Sequence, residues 1–401
     1  IQALAVGLPA MTTLVSSFII GNVLGSSALA SIGFAGPFMF VISGFSSLIS
    51  VGAQILCGKY LGSGNDDSLK KAFNTACVMC FFFGSLLVLF TSFFPSTLAE
   101  LLGTSGELKA MTSDYIRGYS LCCLFSVFSA TLIPFLQLDC AKILSTISIV
   151  TLVALNIIFN LLNAFVFHLG MYGVGLASSI SSAISVLICV PYFAGKSKLF
   201  SFEIKSFSLK EVKRICLFGI NSAIIFLWLT LRDRIFVPTL MSLGGTVAIS
   251  AFTIANNISN SIGCTIQGGV QGTCNLVSSI LVGSKDVESL RKLPGEISKT
   301  ITPFFALCYL IVFALAKPIA LAFGAEPEHI ALYVLAIRYF NFWFFPTTIR
   351  TLGVTIYNSL NKVKTTGVLN FLVLLAYPVS VYFTAKQKII QAKKSNPEEK
   401  H

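Results

Sequence analysis

The feature that most constrains this chain is its supply of apolar runs long enough to cross a bilayer. A transmembrane helix needs about 20 consecutive apolar residues. Runs of that kind lie at about 2–24, 28–57, 69–94, 113–134, 141–167, 171–194, 211–243, 246–282, 297–323, 329–349 and 363–383. Only 11% of the 401 residues are charged, against roughly a quarter in soluble domains. A soluble enzyme, a disordered chain and a nucleic-acid reader are therefore excluded. A membrane barrel is excluded too, because its strands alternate in polarity over about ten residues. The fold class is an all-α polytopic membrane protein. Interruptions such as Pro9, Pro37, Pro134, Pro238 and Pro346 are of a kind that membrane helices tolerate.

Charge sets the orientation. One set of alternate loops carries sixteen Lys and Arg, among them Lys59, Lys70, Lys71, Lys142, Lys213, Arg214, Lys285 and Lys292. The opposite set carries Lys109 and Lys317. Basic loops stay in the cytoplasm, so the N-terminus is expected there. The net charge of +12 then reflects orientation rather than a nucleic-acid partner. Eleven spans would place the basic tail at 385–401 outside. That conflict points to a twelfth helix missing from the sequence.

The chain also repeats itself. Residues 61–71 and 282–292 match at an offset of 221 with five identities in eleven positions. Ile116-Arg117 and Ile337-Arg338 share that offset. Six spans separate matched positions, so the halves run parallel, related by a pseudo-twofold along the membrane normal. The expected organisation is a first lobe at 1–194, a cytoplasmic linker at 195–210, a second lobe at 211–384 and the tail at 385–401. By the same comparison the first helix lacks about seven residues relative to the seventh, near Val15-Ser16.

Candidate functional residues are polar groups inside apolar runs. Of the acidic residues only Asp233, flanked by Arg232 and Arg234, lies deep in such a run. Intramembrane charges usually face a bundle interior or a wet cavity. Asp233 is thus either a structural ion-pair partner or a carboxylate that exchanges a cation or binds substrate. Helix eight carries Asn257, Asn260, Gln267, Gln271 and Asn275 on one helical face. Its counterpart, helix two, carries Ser47, Ser50 and Gln54, and helix five carries Asn156 and Asn160. These stripes read either as interhelical hydrogen bonding or as the lining of a solvated cleft for bulky amphipathic solutes. Cys77-x-x-Cys80 lies in an apolar run without a partner pair and reads as helix packing. No catalytic cluster, metal-ligand set or phosphate-binding loop appears in the sequence, so the chain is read as neither an enzyme nor an ATP-driven pump.

The chain resembles the multidrug and toxic compound extrusion (MATE) family, part of a larger superfamily that includes lipid-linked oligosaccharide and polysaccharide flippases. The resemblance is carried by Leu24-Gly-Ser-Ser-Ala-Leu-Ala30, Ser50-Val-Gly-Ala-Gln54, Leu61-Gly-Ser-Gly64, Asn156-Ile-Ile-Phe-Asn160 and Gly170-Met-Tyr-Gly-Val-Gly175. It implies twelve helices in two lobes, alternating access, and export of cationic or amphipathic organic compounds coupled to H⁺ or Na⁺, without a cofactor. A monomer in a cell membrane, such as a bacterial inner membrane, is the expected setting. Three departures stand out: the acidic stretch usual in the family's first helix is missing, Asn160 stands where Asp is common, and the expected twelfth helix is not seen in the sequence. A lipid-linked sugar flippase is the alternative within the fold. A non-transporting receptor or scaffold is disfavoured by the duplicated architecture.

Overall fold

The computed structural model describes residues 16, 19–20, 23–24, 26–104, 106–203, 206–228, 231, 255, 258, 274–322, 330–340, 344–360 and 362–372. Among these there is no strand. The helices are α1 (Ser26–Gly62), α2 (Asp66–Phe93), α3 (Pro95–Leu101), α4 (Gly106–Gly118), α5 (Ser120–Leu138), α6 (Lys142–Leu162) and α7 (Gly170–Gly195). They continue with α8 (209–228), α9 (Cys274–Ser284), α10 (Val287–Ala314), α11 (Ala316–Ala322), α12 (Ile330–Phe340), α13 (Phe344–Ser359) and α14 (Val363–Phe371). A π-helical turn, Asn163–Phe167, extends α6. Among the described residues six helices are long and apolar enough to cross a membrane. Their outer faces expose Phe81, Phe82, Phe165, Ile143 and Leu187, as lipid contact requires and water would not favour.

The boundaries refine the sequence expectation. The fourth span divides into α4 and α5 at Tyr119. There α4 crosses α7 so closely that a methyl group on Gly118 would strike the Tyr172 carbonyl, and one on Gly175 the Tyr115 carbonyl. The tenth span runs past 349 as α13, which ends at Ser359.

The first lobe packs around Phe73 of α2. Its buried ring meets Phe135 of α5 at 5.0 Å, Phe193 of α7 at 5.2 Å and Phe200 at 4.9 Å. Aromatic pairs of this kind add about 0.5–1.5 kcal/mol beyond burial. Cys77 and Cys80 are buried beside this core, and the Cys80 thiol lies 3.3 Å from Thr131 Oγ1.

The segment expected as the inter-lobe linker is fastened to the first lobe. Asn74 Nδ2 donates to the Ser201 carbonyl (2.9 Å), and its Oδ1 accepts from the Glu203 amide (2.7 Å). Thr75 Oγ1 accepts from the Ser208 amide at 3.2 Å. Asp139 Oδ2 accepts from Tyr192 Oη at 2.9 Å and from Ser197 Oγ at 2.6 Å. Phe200 is buried in the aromatic core.

The repeat is visible at atomic detail. Gly64 and Lys285, 221 apart, both adopt left-handed backbone with φ of 68° and 61°. Around them the amides of Asn65 and Asp286 bond back to the Tyr60 and Leu281 carbonyls, each at 3.0 Å. This is a Schellman turn closing one helix. The same two residues then cap the next helix: Asn65 Oδ1 accepts from the Ser68 amide at 3.1 Å, and Asp286 Oδ1 from the Ser289 amide at 3.0 Å. Hydrogen bonds from Ser289 hold the Asp286 carboxyl below its usual range.

Matched helices of the two lobes also touch each other. A methyl group on Gly62 of α1 would strike the Ile280 carbonyl of α9, and one on Gly283 would strike the Lys59 carbonyl. Because 59 and 280, like 62 and 283, are 221 apart, these contacts are mates under the pseudo-twofold. Gly58 likewise sits against the Ser279 side chain. Small residues four apart let helix backbones approach this closely. Next to this crossing α1 also meets α8, where Gly52 abuts the Ile215 carbonyl and Gly219 the Leu48 carbonyl.

Candidate functional site

Among the described residues two polar nodes lie inside the helical bundle, one in each lobe, and a third cluster joins the lobes at the Lys59 end of α1. In the first lobe Asn156 and Asn160 stand one turn apart on α6. Asn160 Nδ2 donates to the Asn156 carbonyl at 2.8 Å and to its Oδ1 at 3.1 Å. Asn156 Nδ2 donates to Ser178 Oγ of α7 at 3.1 Å, and Ser16 Oγ to Asn156 Oδ1 at 3.3 Å. Asn160 is buried, and its Oδ1 has no hydrogen-bond partner among the described residues. The node therefore gathers neutral oxygens with unused acceptor capacity.

The helix-two residues are placed differently. Gln54 and Ser50 are buried and Ser47 is half-buried. Ser50 Oγ donates to the Ala130 carbonyl of α5 at 2.5 Å, a contact within the first lobe. On α9 Asn275 is buried with its Oδ1 unpartnered among the described residues. Arg232, Asp233, Arg234, Asn257, Asn260, Gln267 and Gln271 lie outside the described residues.

The second-lobe node is one that sequence reasoning missed. Asn221 of α8 donates through Nδ2 to Asn358 Oδ1 of α13 at 3.1 Å. Asn370 of α14 donates to the Asn221 carbonyl at 3.4 Å and accepts from Arg350 Nη1 at 2.8 Å. Arg350 Nη2 donates to Thr351 Oγ1 at 3.1 Å. All five residues are buried. Arg350 thus adds a buried charge to the Arg232-Asp233-Arg234 cluster that the sequence singled out inside an apolar run. The apolar run ends at 349, but the helix continues, so Arg350 sits inside α13 rather than in a loop. A signal existed: Arg350, Thr351, Thr355, Asn358 and Ser359 recur at helical spacing.

The third cluster binds α1 to α8. Tyr60 Oη donates to Glu211 Oε2 at 2.9 Å, and Arg214 Nη1 donates to Glu211 Oε1 at 2.9 Å and to the Tyr60 hydroxyl. The Glu211 side chain is buried, and Lys59 Nζ lies 4.0 Å from the Phe218 ring centre. The two lobes thus meet through hydrogen bonds and glycine contacts at the same end. Among the described residues no group of His, Cys, Asp or Glu is arranged to hold a metal ion.

The MatE family profile matches residues 3–162 and again 220–385. The multidrug export protein MepA of Staphylococcus haemolyticus is 23% identical over 326 residues, 80% of this chain and 71% of that protein. The Staphylococcus saprophyticus protein of the same name is 24% identical over 74% of this chain and 65% of its own length. Among solved structures, the Vibrio cholerae MATE transporter VcmN in the bent form superposes with a TM-score of 0.81 at 20% identity, covering 94% of this chain and 85% of that one. An outward-facing multidrug resistance MATE family transporter of the MOP superfamily gives 0.85 at 16% identity, covering 92% and 83%.

Proposed function

Since the chain belongs to the MatE family, we propose that it is a secondary active exporter of organic compounds, worked by alternating access of its two lobes and driven by an H⁺ or Na⁺ gradient. The observation that carries this reading is the reciprocal crossing of α1 and α9 at Gly62 and Gly283. A contact made by symmetry-related helices on the pseudo-twofold can open and close as the lobes rock, without unfolding either one. By the charge rule the Lys59 end belongs to the cytoplasmic side, and in this reading the α1–α9 contact is the closure on that side. Relatives named multidrug export proteins support small organic substrates, and nothing in the proposed cycle calls for an enzymatic step. A cell membrane, a cytoplasmic N-terminus and a monomer complete the reading.

The coupling ion has two candidate seats. The Ser16, Asn156 and Asn160 oxygens are neutral and do not titrate near physiological pH, which suits Na⁺. A proton-driven cycle needs a carboxylate, and Asp233 is the residue proposed for it. The test is reconstitution into vesicles with an imposed pH or Na⁺ gradient and the permanent cation ethidium. Gradient-dependent dye movement is expected. Scrambling of labelled lipid without dye movement would overturn the reading in favour of a flippase.

A further inference from the structure

Among the described residues Arg350 is a buried guanidinium without a counter-charge. Its residue is 7% exposed. Its two terminal nitrogens bond to Asn370 Oδ1 and Thr351 Oγ1, both neutral. Its Nε–H has no partner among the described residues, and Arg350 forms none of the ion pairs described there. Burying an ionised group in this way is costly unless it is paired, and arginine stays charged in proteins.

Other buried donors of the same helix cluster are also unmet. Asn358, joined to Arg350 through Asn221 and Asn370, is buried with an unpartnered Nδ2. Trp228 of α8 packs edge-on against Phe371, the neighbour of Asn370, at 5.4 Å, and its buried Nε1 is also unpartnered. These three orphan groups all donate, while the other unpartnered buried atoms described in the second lobe are Ser222 Oγ and Asn275 Oδ1. A guanidinium with no counter-charge among the described residues, in a lobe with further spare N–H groups, is the complement of an anion, and its planar fork matches a carboxylate or phosphate. We propose that Arg350 is the anchor of an anion-recognition subsite in the second lobe, which takes the carboxylate, sulfonate or phosphonate of an exported solute. The proposal deepens the exporter reading and rests on it: it extends the substrate class from cations to zwitterions and amphipathic anions.

The test uses the whole chain in vesicles under an imposed gradient, with carboxyfluorescein as the anion and ethidium as the cation. Wild type is compared with Arg350→Gln and Arg350→Lys. A charged hydrogen bond lost from the anion alone should lower the anion-to-cation turnover ratio about tenfold in Arg350→Gln. Arg350→Lys keeps the charge without the fork and should restore part of that ratio. Equal loss of both dyes would make Arg350 a packing residue only. A change in lipid scrambling with an unchanged dye ratio would assign the site to a phospholipid phosphate. Both outcomes overturn the proposal. Should Arg350→Gln fail to fold, phenylphosphonate titrated into purified wild type and Arg350→Lys decides. Binding that weakens severalfold in Arg350→Lys is expected, and no binding to wild type overturns the idea. Absence of any gradient-driven ethidium movement by wild type would instead sink the exporter reading, while phosphonate binding would still stand.

Discussion

At the residue scale the two Schellman turns give a direct test of the repeat. Both need a residue with positive φ, and the first uses Gly64 where the second uses Lys285. A non-glycine residue pays about 1–2 kcal/mol for left-handed backbone, partly offset by the greater freedom that glycine has when unfolded. Lys285→Gly should therefore stabilise the protein by about 0.5–1 kcal/mol, read as a higher Tm in detergent. Gly64→Lys should do the reverse. A Lys285→Gly variant that melts earlier would deny the turn. These positions were legible in the sequence because the Gly-Ser pair, the cap and the Ser three residues beyond it line up in both halves. Asn156 and Asn160 were legible as amides one turn apart in an apolar run. Arg350 was legible only through the helical spacing of the polar residues that follow it, because hydropathy marks where an apolar run stops, whereas α13 goes on through polar residues for as long as neighbouring helices satisfy them. Asn221 and Asn370 were not legible. A single amide in an apolar helix has no periodicity, and its meaning arises only when a third helix supplies the partner.

At the scale of elements, the α1–α9 crossing makes a prediction that a single helix could not. Gly62 and Gly283 wedge against one another's helices as mates. Gly62→Val and Gly283→Val should each cost about 1–3 kcal/mol through forced backbone separation. The double variant should cost less than the sum, because the first wedge already opens the space that the second needs. Thermal unfolding of the four proteins in detergent measures the coupling, and additive losses would mean that the two glycines do not share a contact. The neighbouring Tyr60–Glu211–Arg214 cluster adds a polar seal to the same crossing. With Arg214 partly exposed, the ion pair is screened and contributes little to stability. Glu211→Gln, which keeps a hydrogen-bond acceptor for Tyr60, should accordingly shift Tm only slightly. A large loss would show that the carboxylate holds the lobes together.

At the scale of the molecule, the family profile that matches twice and the mated contacts describe the same duplication. The lobes differ where function is expected: the first-lobe node is neutral, whereas the second carries a guanidinium. One more consequence follows from the way in which Asn74 and Thr75 hold Ser201, Glu203 and Ser208. Chain on both sides of residues 204–205 is docked onto α2, so covalent continuity there has little left to do. Two plasmids encoding residues 1–204 and 205–401 should yield a nicked protein that co-purifies as one particle through an affinity tag on either half. Halves that never meet would show that the peptide bond, rather than the docked segment, keeps the two lobes in register. If they do meet, each lobe becomes an exchangeable part, and chimaeras with the halves of other family members can be assembled without redesigning a junction.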